Sequence, residues 1–251
     1  MIEHNTEIKT ADGVMATFIT HPETGGPHPV ILFLMDAPGK REELHDMARR
    51  ISATGYYVML PNLYYRDVPS FTVHREDPGS REYMFSLMSK LTNALVSEDA
   101  AAMIEYAASD SAADESRVGV TGYCMSGPFA LWIAAEFPEI VKSAASIHGV
   151  RLAVDAEDSP HTRVADMAGE ILVMSAEHDD YVDRAHYDRL VASFEGAGTK
   201  AHCEWVEEAH HGFVFPERAL FHKVAAERHW ELLHALFERT LKSSSGKRYL
   251  T

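Results

Sequence analysis

Only two cysteines occur in the 251 residues, Cys124 and Cys203, so a disulfide framework of the secreted kind is excluded. Cations are scarce too: 23 Lys and Arg stand against 38 Asp and Glu, a formal net charge of -15. Nucleic-acid binding needs clustered Lys and Arg to displace phosphate counterions, so that class of partner is excluded. An anionic substrate would need a local positive patch. Long apolar runs are missing, and the longest, residues 30–35, is far too short to cross a bilayer. Residues 1–10 contain no basic stretch followed by an apolar core, so a cytoplasmic protein without a membrane partner is expected. Fifteen histidines are present, but there is no H-E-x-x-H and the two cysteines lie far apart; neither a metal nor a cofactor is expected. There is no internal repeat and no low-complexity block, and the oligomeric state is not legible.

What is present is ample apolar material, 46% of the residues, enough for a substantial core. Residues 14–19 read as a strand, and a Gly- and Pro-rich loop leads into the buried-strand run 30–35. A helical face at 44–52 and a short strand at 57–60 complete a βαβ unit. A polar, Pro-containing excursion over 67–79 near a binding site precedes long helical territory from 82 to 108. Strands follow at 118–121, 144–148, 171–175 and 201–206, with helices after Gly127, at 187–194 and at 221–241. Strands alternating with helices imply a doubly wound, mostly parallel sheet with helices on both faces, and ligands at the strands' carboxyl ends. One domain over residues 1–242 and a polar tail, 243–251, are expected.

Gly122-Tyr123-Cys124-Met125-Ser126-Gly127 directly follows the run Val118 to Thr121 and precedes helix-spaced apolar residues. That is the layout of a strand-to-helix nucleophile elbow, with a thiol in place of the usual serine. A free cysteine commonly just packs, but the glycines, the strand and the helix N-terminus favour a nucleophile, since helix amides lower a thiol's pKa. A thiol nucleophile needs a base, and the base needs an orienting acid. Asp179 falls in the loop after the strand 171–175, and His211 follows the strand 201–206. The chain order nucleophile, acid, histidine is that of α/β-hydrolases. Asp180 and Asp183 compete for the acid role, with spacing favouring Asp179; His210 competes with His211, which the following Gly212 favours. The other thirteen histidines are assigned no catalytic role. The backbone N–H groups of Met125 and Ala37 are the expected oxyanion donors.

With these residues in place, the chain resembles the dienelactone hydrolase family of α/β-hydrolases over about Val14 to Leu241. The resemblance is carried by the Gly122–Gly127 elbow, Asp179 with Val182, His211-Gly212-Phe213, Gly55-Tyr56-Tyr57-Val58 and Pro61-Asn62-Leu63-Tyr64. It implies an α/β-hydrolase fold and a small-molecule substrate: an enol-lactone such as a dienelactone, opened during breakdown of aromatic compounds. It also implies that Asp36 stands where the family has a glutamate that touches the resting thiol, an acid whose repulsion would keep Cys124 protonated. Capping of the local loop is the alternative. Arg81 lies where an arginine for the substrate's carboxylate is implied, and Tyr123 is assigned to substrate binding beside it. The family's second arginine lies closer behind the histidine than Arg218 does, which leaves Arg218 with a surface-charge reading; Arg66 is read as structural. Two further readings are a general carboxylesterase or thioesterase with a thiol nucleophile, and a redox-sensing or ligand-binding protein on a hydrolase scaffold.

Overall fold

The computed structural model describes residues 1–74 and 76–242, so the expected polar tail lies outside the described residues. The strand that sets the architecture is β3, His28–Leu34, numbered after β1, Ile2–Thr10, and β2, Gly13–His21. All seven residues of β3 are buried, as a strand covered on both faces requires. Around it lie β4 (Tyr57–Pro61), β5 (Ala113–Tyr123), β6 (Val141–Ile147), β7 (Glu170–His178) and β8 (Ala201–His210). They form one eight-stranded sheet in the order β1-β2-β4-β3-β5-β6-β7-β8. Every pairing from β4 to β8 is parallel, whereas β1 with β2 and β2 with β4 are antiparallel. The fold is an α/β-hydrolase fold, as the sequence predicts.

The helices are α1 (Glu42–Ser52), α2 (Pro78–Met88), α3 (Asn93–Ala108), α4 (Gly127–Glu136), α5 (Arg184–Ala197) and α6 (Lys223–Leu241). In α3, Val96, Ala100, Met103, Ile104 and Ala107 are buried, the one-faced spacing that packs a helix on a sheet. The helical territory expected over 82–108 is divided into two helices, α2 and α3. Helix α2 starts inside the expected excursion, where Asp77 accepts a hydrogen bond from Gly79 N at 2.9 Å, and α3 restarts where Thr92 accepts from Leu95 N at 3.2 Å. Each helix thus opens with its own side-chain cap. Strand β1 was not foreseen: of its nine residues only Ile8 is fully buried, so it carries almost no apolar signal. Arg66 is structural as read, its guanidinium on both oxygens of the buried Asp99 at 2.9 Å.

Candidate active site

At the end of β5 the chain turns sharply: Cys124 has φ of 55°, a 3-10 turn covers Cys124–Ser126, and α4 follows. A non-glycine residue in the left-handed region is uncommon and marks a turn held by its surroundings. Gly122 makes the turn possible, because a Cβ there would stand 2.0 Å from the carbonyl oxygen of Ser126. The Ser126 hydroxyl donates to the carbonyl of Met35, which ties the elbow to the end of β3, the start of the expected oxyanion loop. The thiol is held by the backbone, half-buried at the sheet's carboxyl edge.

Asp179 and His211 arrive at that edge from β7 and β8. His211 Nδ1 lies 2.7 Å from Asp179 Oδ2, with the carboxylate almost fully buried; Asp179 Oδ1 accepts from Tyr181 N at 2.9 Å. Donation from Nδ1 leaves Nε2 for Cys124, the group beside it. Nε2 makes no hydrogen bond of full geometry, a contact of the kind that tightens around substrate. Burial disfavours charge on His211, but hydrogen bonding to Asp179 and the interaction with Cys124 prevail and raise it to about 10. The imidazole is thus poised to hold a proton. The rivals stand elsewhere. His210 is exposed, its ring 5.0 Å from that of His178. Asp180 is exposed, and Asp183 caps α5 by accepting from His186 N at 2.8 Å.

A cavity of about 370 Å³ opens at this edge and is lined by Cys124, His211, Ala37, Arg81, Arg218 and Tyr181. Its remaining walls are apolar: Pro38, Val73, Met84, Phe85, Met88 and Val150. Val73 belongs to the expected excursion, and Arg81 reaches the cavity from α2, with no ion pair among the described residues. Tyr181 is 58% exposed, its ring 5.0 Å from that of His211. Among the described residues no group of three or more His, Cys, Asp or Glu is arranged to hold a metal ion, and no helix is long and apolar enough to cross a membrane.

Three assignments need correction. Tyr123 does not face the cavity: its side chain is fully buried, with Oη 3.0 Å from His229 Nε2 and the ring edge-on to Phe33. It is core, because the residue before the elbow sends its ring under the sheet edge. Asp36 is not a bare carboxylate opposing the thiol. It is completely buried, with Oδ1 2.5 Å from Arg41 Nη1 and Oδ2 2.5 Å from Arg218 Nη2, so two guanidiniums offset its charge. Burial would weaken the charge of Arg41, but Asp36 and Glu43 more than restore it. Arg218 is no surface charge, since its side chain is 13% exposed and lines the cavity. It lies across Gly212, where φ is 83° and a Cβ would stand 2.5 Å from Arg218 Nη1; the glycine after the histidine makes room for the arginine.

Two further residues escaped the sequence reading. Tyr64 Oη donates to the carbonyl of Ala37 at 2.8 Å and lies 3.3 Å from Sδ of Met125, so it bridges the two expected oxyanion residues. Burial, then the charges of Asp36 and Cys124, push its hydroxyl up and keep it a donor. His148, after β6 with φ of 39°, is fully buried, its ring set edge-on with centroids 5.0 Å from that of His211 and 5.6 Å from that of Phe213. Burial, reinforced by the positive His211 and Arg218, pushes it well down, and it stays neutral beneath the catalytic candidate. The stretch around Tyr64 was visible as part of a family signature, but nothing in the sequence announces His148.

Comparison with known proteins places these residues in context. The family model described as the dienelactone hydrolase family matches residues 15–241. A Methylorubrum extorquens protein named "Putative carboxymethylenebutenolidase" is 28% identical over 247 residues, covering 95% of this chain and 81% of its own length. The carboxymethylenebutenolidase of Rhodococcus opacus is 26% identical, covering 89% of this chain and 86% of its own. Among solved structures, a "Putative Dienelactone Hydrolase" from Klebsiella pneumoniae superposes with a TM-score of 0.84 at 24% identity, covering 95% of this chain and 98% of its own.

Proposed function

The chain belongs to the dienelactone hydrolase family and is a carboxylic ester hydrolase, and we propose that it opens an enol-lactone or related ester through an acyl-enzyme on Cys124. The Cys124 thiolate attacks the carbonyl carbon, forming the C–S bond while the carbonyl π pair moves to oxygen. The amides of Ala37 and Met125 receive that oxyanion. Collapse expels the leaving oxygen, which takes the proton held by the His211 imidazolium. Water then attacks the thioester and gives its proton to His211, whose orientation Asp179 maintains, and the thiolate departs. Arg81 takes an anionic substituent of the lactone, with Arg218 partly neutralised by Asp36.

The observation that supports this reading is the arrangement of His211, bonded to Asp179 at 2.7 Å and set against Cys124. The test uses a slowly hydrolysed lactone and intact-mass spectrometry: wild type should acquire one acyl group, and Cys124→Ala should acquire none and lose turnover while remaining folded. Wild-type turnover by Cys124→Ala would overturn the nucleophile assignment. The apolar walls Val73, Met84 and Phe85 favour a second reading, a general thiol esterase. On that reading, neutral aryl esters outperform anionic lactones in kcat/KM.

A further inference from the structure

A second cavity, of about 430 Å³, adjoins the first across Met88 and Val150, which line both. It lies under the junction of α2 and α3 and along the start of α4, with apolar walls from Leu91, Pro128, Phe129 and Val154. Met125, whose amide is assigned to the oxyanion, also borders it. Several of its polar groups are engaged within the protein: Asn93 Nδ2 donates to the carbonyl of Asp158 at 2.6 Å, and Ser159 Oγ accepts from Val154 N at 3.0 Å, while Asn93 Oδ1 is buried without a partner. Neither Cys124 nor His211 lines it. Arg151, exposed, is the one cation on its wall.

This division has a chemical consequence, and it rests on the hydrolase reading. In the tetrahedral intermediate the carbon carries sulfur, the oxyanion, the leaving oxygen and the acyl substituent. The leaving oxygen must lie toward His211 to receive its proton, which assigns the alcohol side to the first cavity. The oxyanion lies toward Ala37 and Met125. The remaining substituent turns away from His211, past Val150 and toward the space beyond Met125. We propose that the second cavity is a subsite for the acyl substituent and that it takes an apolar chain or ring. The apolar walls of Leu91, Pro128, Phe129 and Val154 suit such an occupant, because a polar one would lose water over most of its surface while few groups, such as Asn93 Oδ1 and Arg151, offer it partners. The substrate class is then an ester with an apolar acyl arm, larger than a compact lactone requires.

The test is a series of p-nitrophenyl esters, acetate, butyrate and hexanoate, assayed for kcat/KM with the full-length chain. Wild type should favour hexanoate over acetate by tenfold or more, since methylenes moved from water to an apolar wall add binding energy in the transition state. Val154→Trp and, separately, Leu91→Trp, which fill the cavity from two elements, should each bring that ratio to near one. A flat wild-type series, or a ratio unchanged in both variants, would overturn the subsite while leaving the hydrolase reading standing. A matched series of acetate esters with lengthening alcohols distinguishes the two arms: if the tryptophans suppress alcohol-length preference instead, the assignment to the acyl side is wrong. No turnover of any ester by wild type would bring down the hydrolase reading itself.

Discussion

Tyr64 and Met125 meet under the expected oxyanion position: the phenol oxygen lies 3.3 Å from Sδ while donating at 2.8 Å to the carbonyl of Ala37. One hydroxyl therefore spans the loop after β3 and the elbow after β5, and fixes the spacing of the two amides proposed to act on one oxygen. Tyr64→Phe should lower kcat by about tenfold with little change in KM, because it loosens donors that matter in the transition state. A variant with unchanged kcat would reduce Tyr64 to a packing residue.

The two adjacent histidines make a sharp comparison. His211→Ala should lose at least about 10³-fold in kcat, and Asp179→Asn a comparable amount, because the imidazole then loses its orienting partner. His210→Ala and Asp180→Asn should stay within about threefold of wild type, since both residues are exposed away from the thiol. Steady-state rates of the four variants, with circular dichroism for folding, decide the register.

Stability should carry the signature of His211. Its folded pKa, about 10, lies above the ordinary 6.5, so its contribution is complete below pH 6.5 and disappears as pH rises through about 10. Asp179 leads the interactions that raise it. In Asp179→Asn the decline should therefore still begin near pH 6.5 but be smaller and end at a lower pH. Thermal midpoints measured between pH 6 and 10 for both proteins test this; parallel curves would mean that the imidazole is not held charged.

The pair of arginines on Asp36 predicts a structural penalty. Asp36→Ala leaves Arg41 and Arg218 without the carboxylate they share, and removal of one partner from a buried ion pair costs about 3–5 kcal/mol. Denaturant unfolding should show that loss. A change under 1 kcal/mol would mean that the guanidiniums find other partners cheaply.

Charge selectivity isolates Arg81. Arg81→Ala should raise KM for an anionic lactone about tenfold, roughly 1.4 kcal/mol, and leave KM for a neutral aryl ester nearly unchanged. Equal losses on both substrates would point to an arginine that shapes the wall rather than binds charge.

The legible parts of the molecule are those where local pattern and tertiary role coincide. Strand β3 announces itself by continuous apolarity, and the elbow by glycines between a strand and a helix. Asp179 and His211 were readable because each follows a strand, and the fold brings them within 2.7 Å. Strand β1 was not readable, since an edge strand bound through its backbone to β2 needs few apolar side chains. The partners of Asp36 escaped for another reason: Arg218 comes to it from 182 positions away, and no local pattern encodes such an encounter. Tyr123 misled because adjacency to the nucleophile in sequence is not adjacency in space.

Helix α2 buries only Met84 and Leu87, yet it brings Arg81, Phe85 and Met88 to the wall opposite the thiol. The candidate catalytic groups Cys124, Asp179 and His211 follow instead the ends of β5, β7 and β8. On the proposed reading, the wall that α2 supplies and the reacting groups stand on separable pieces of chain. Helix α2 itself can be rewritten or exchanged with a relative's at small cost to the core, whereas residues 62–66 before it cannot, because Leu63 and Tyr64 are buried and Tyr64 ties the loop after β3 to the elbow.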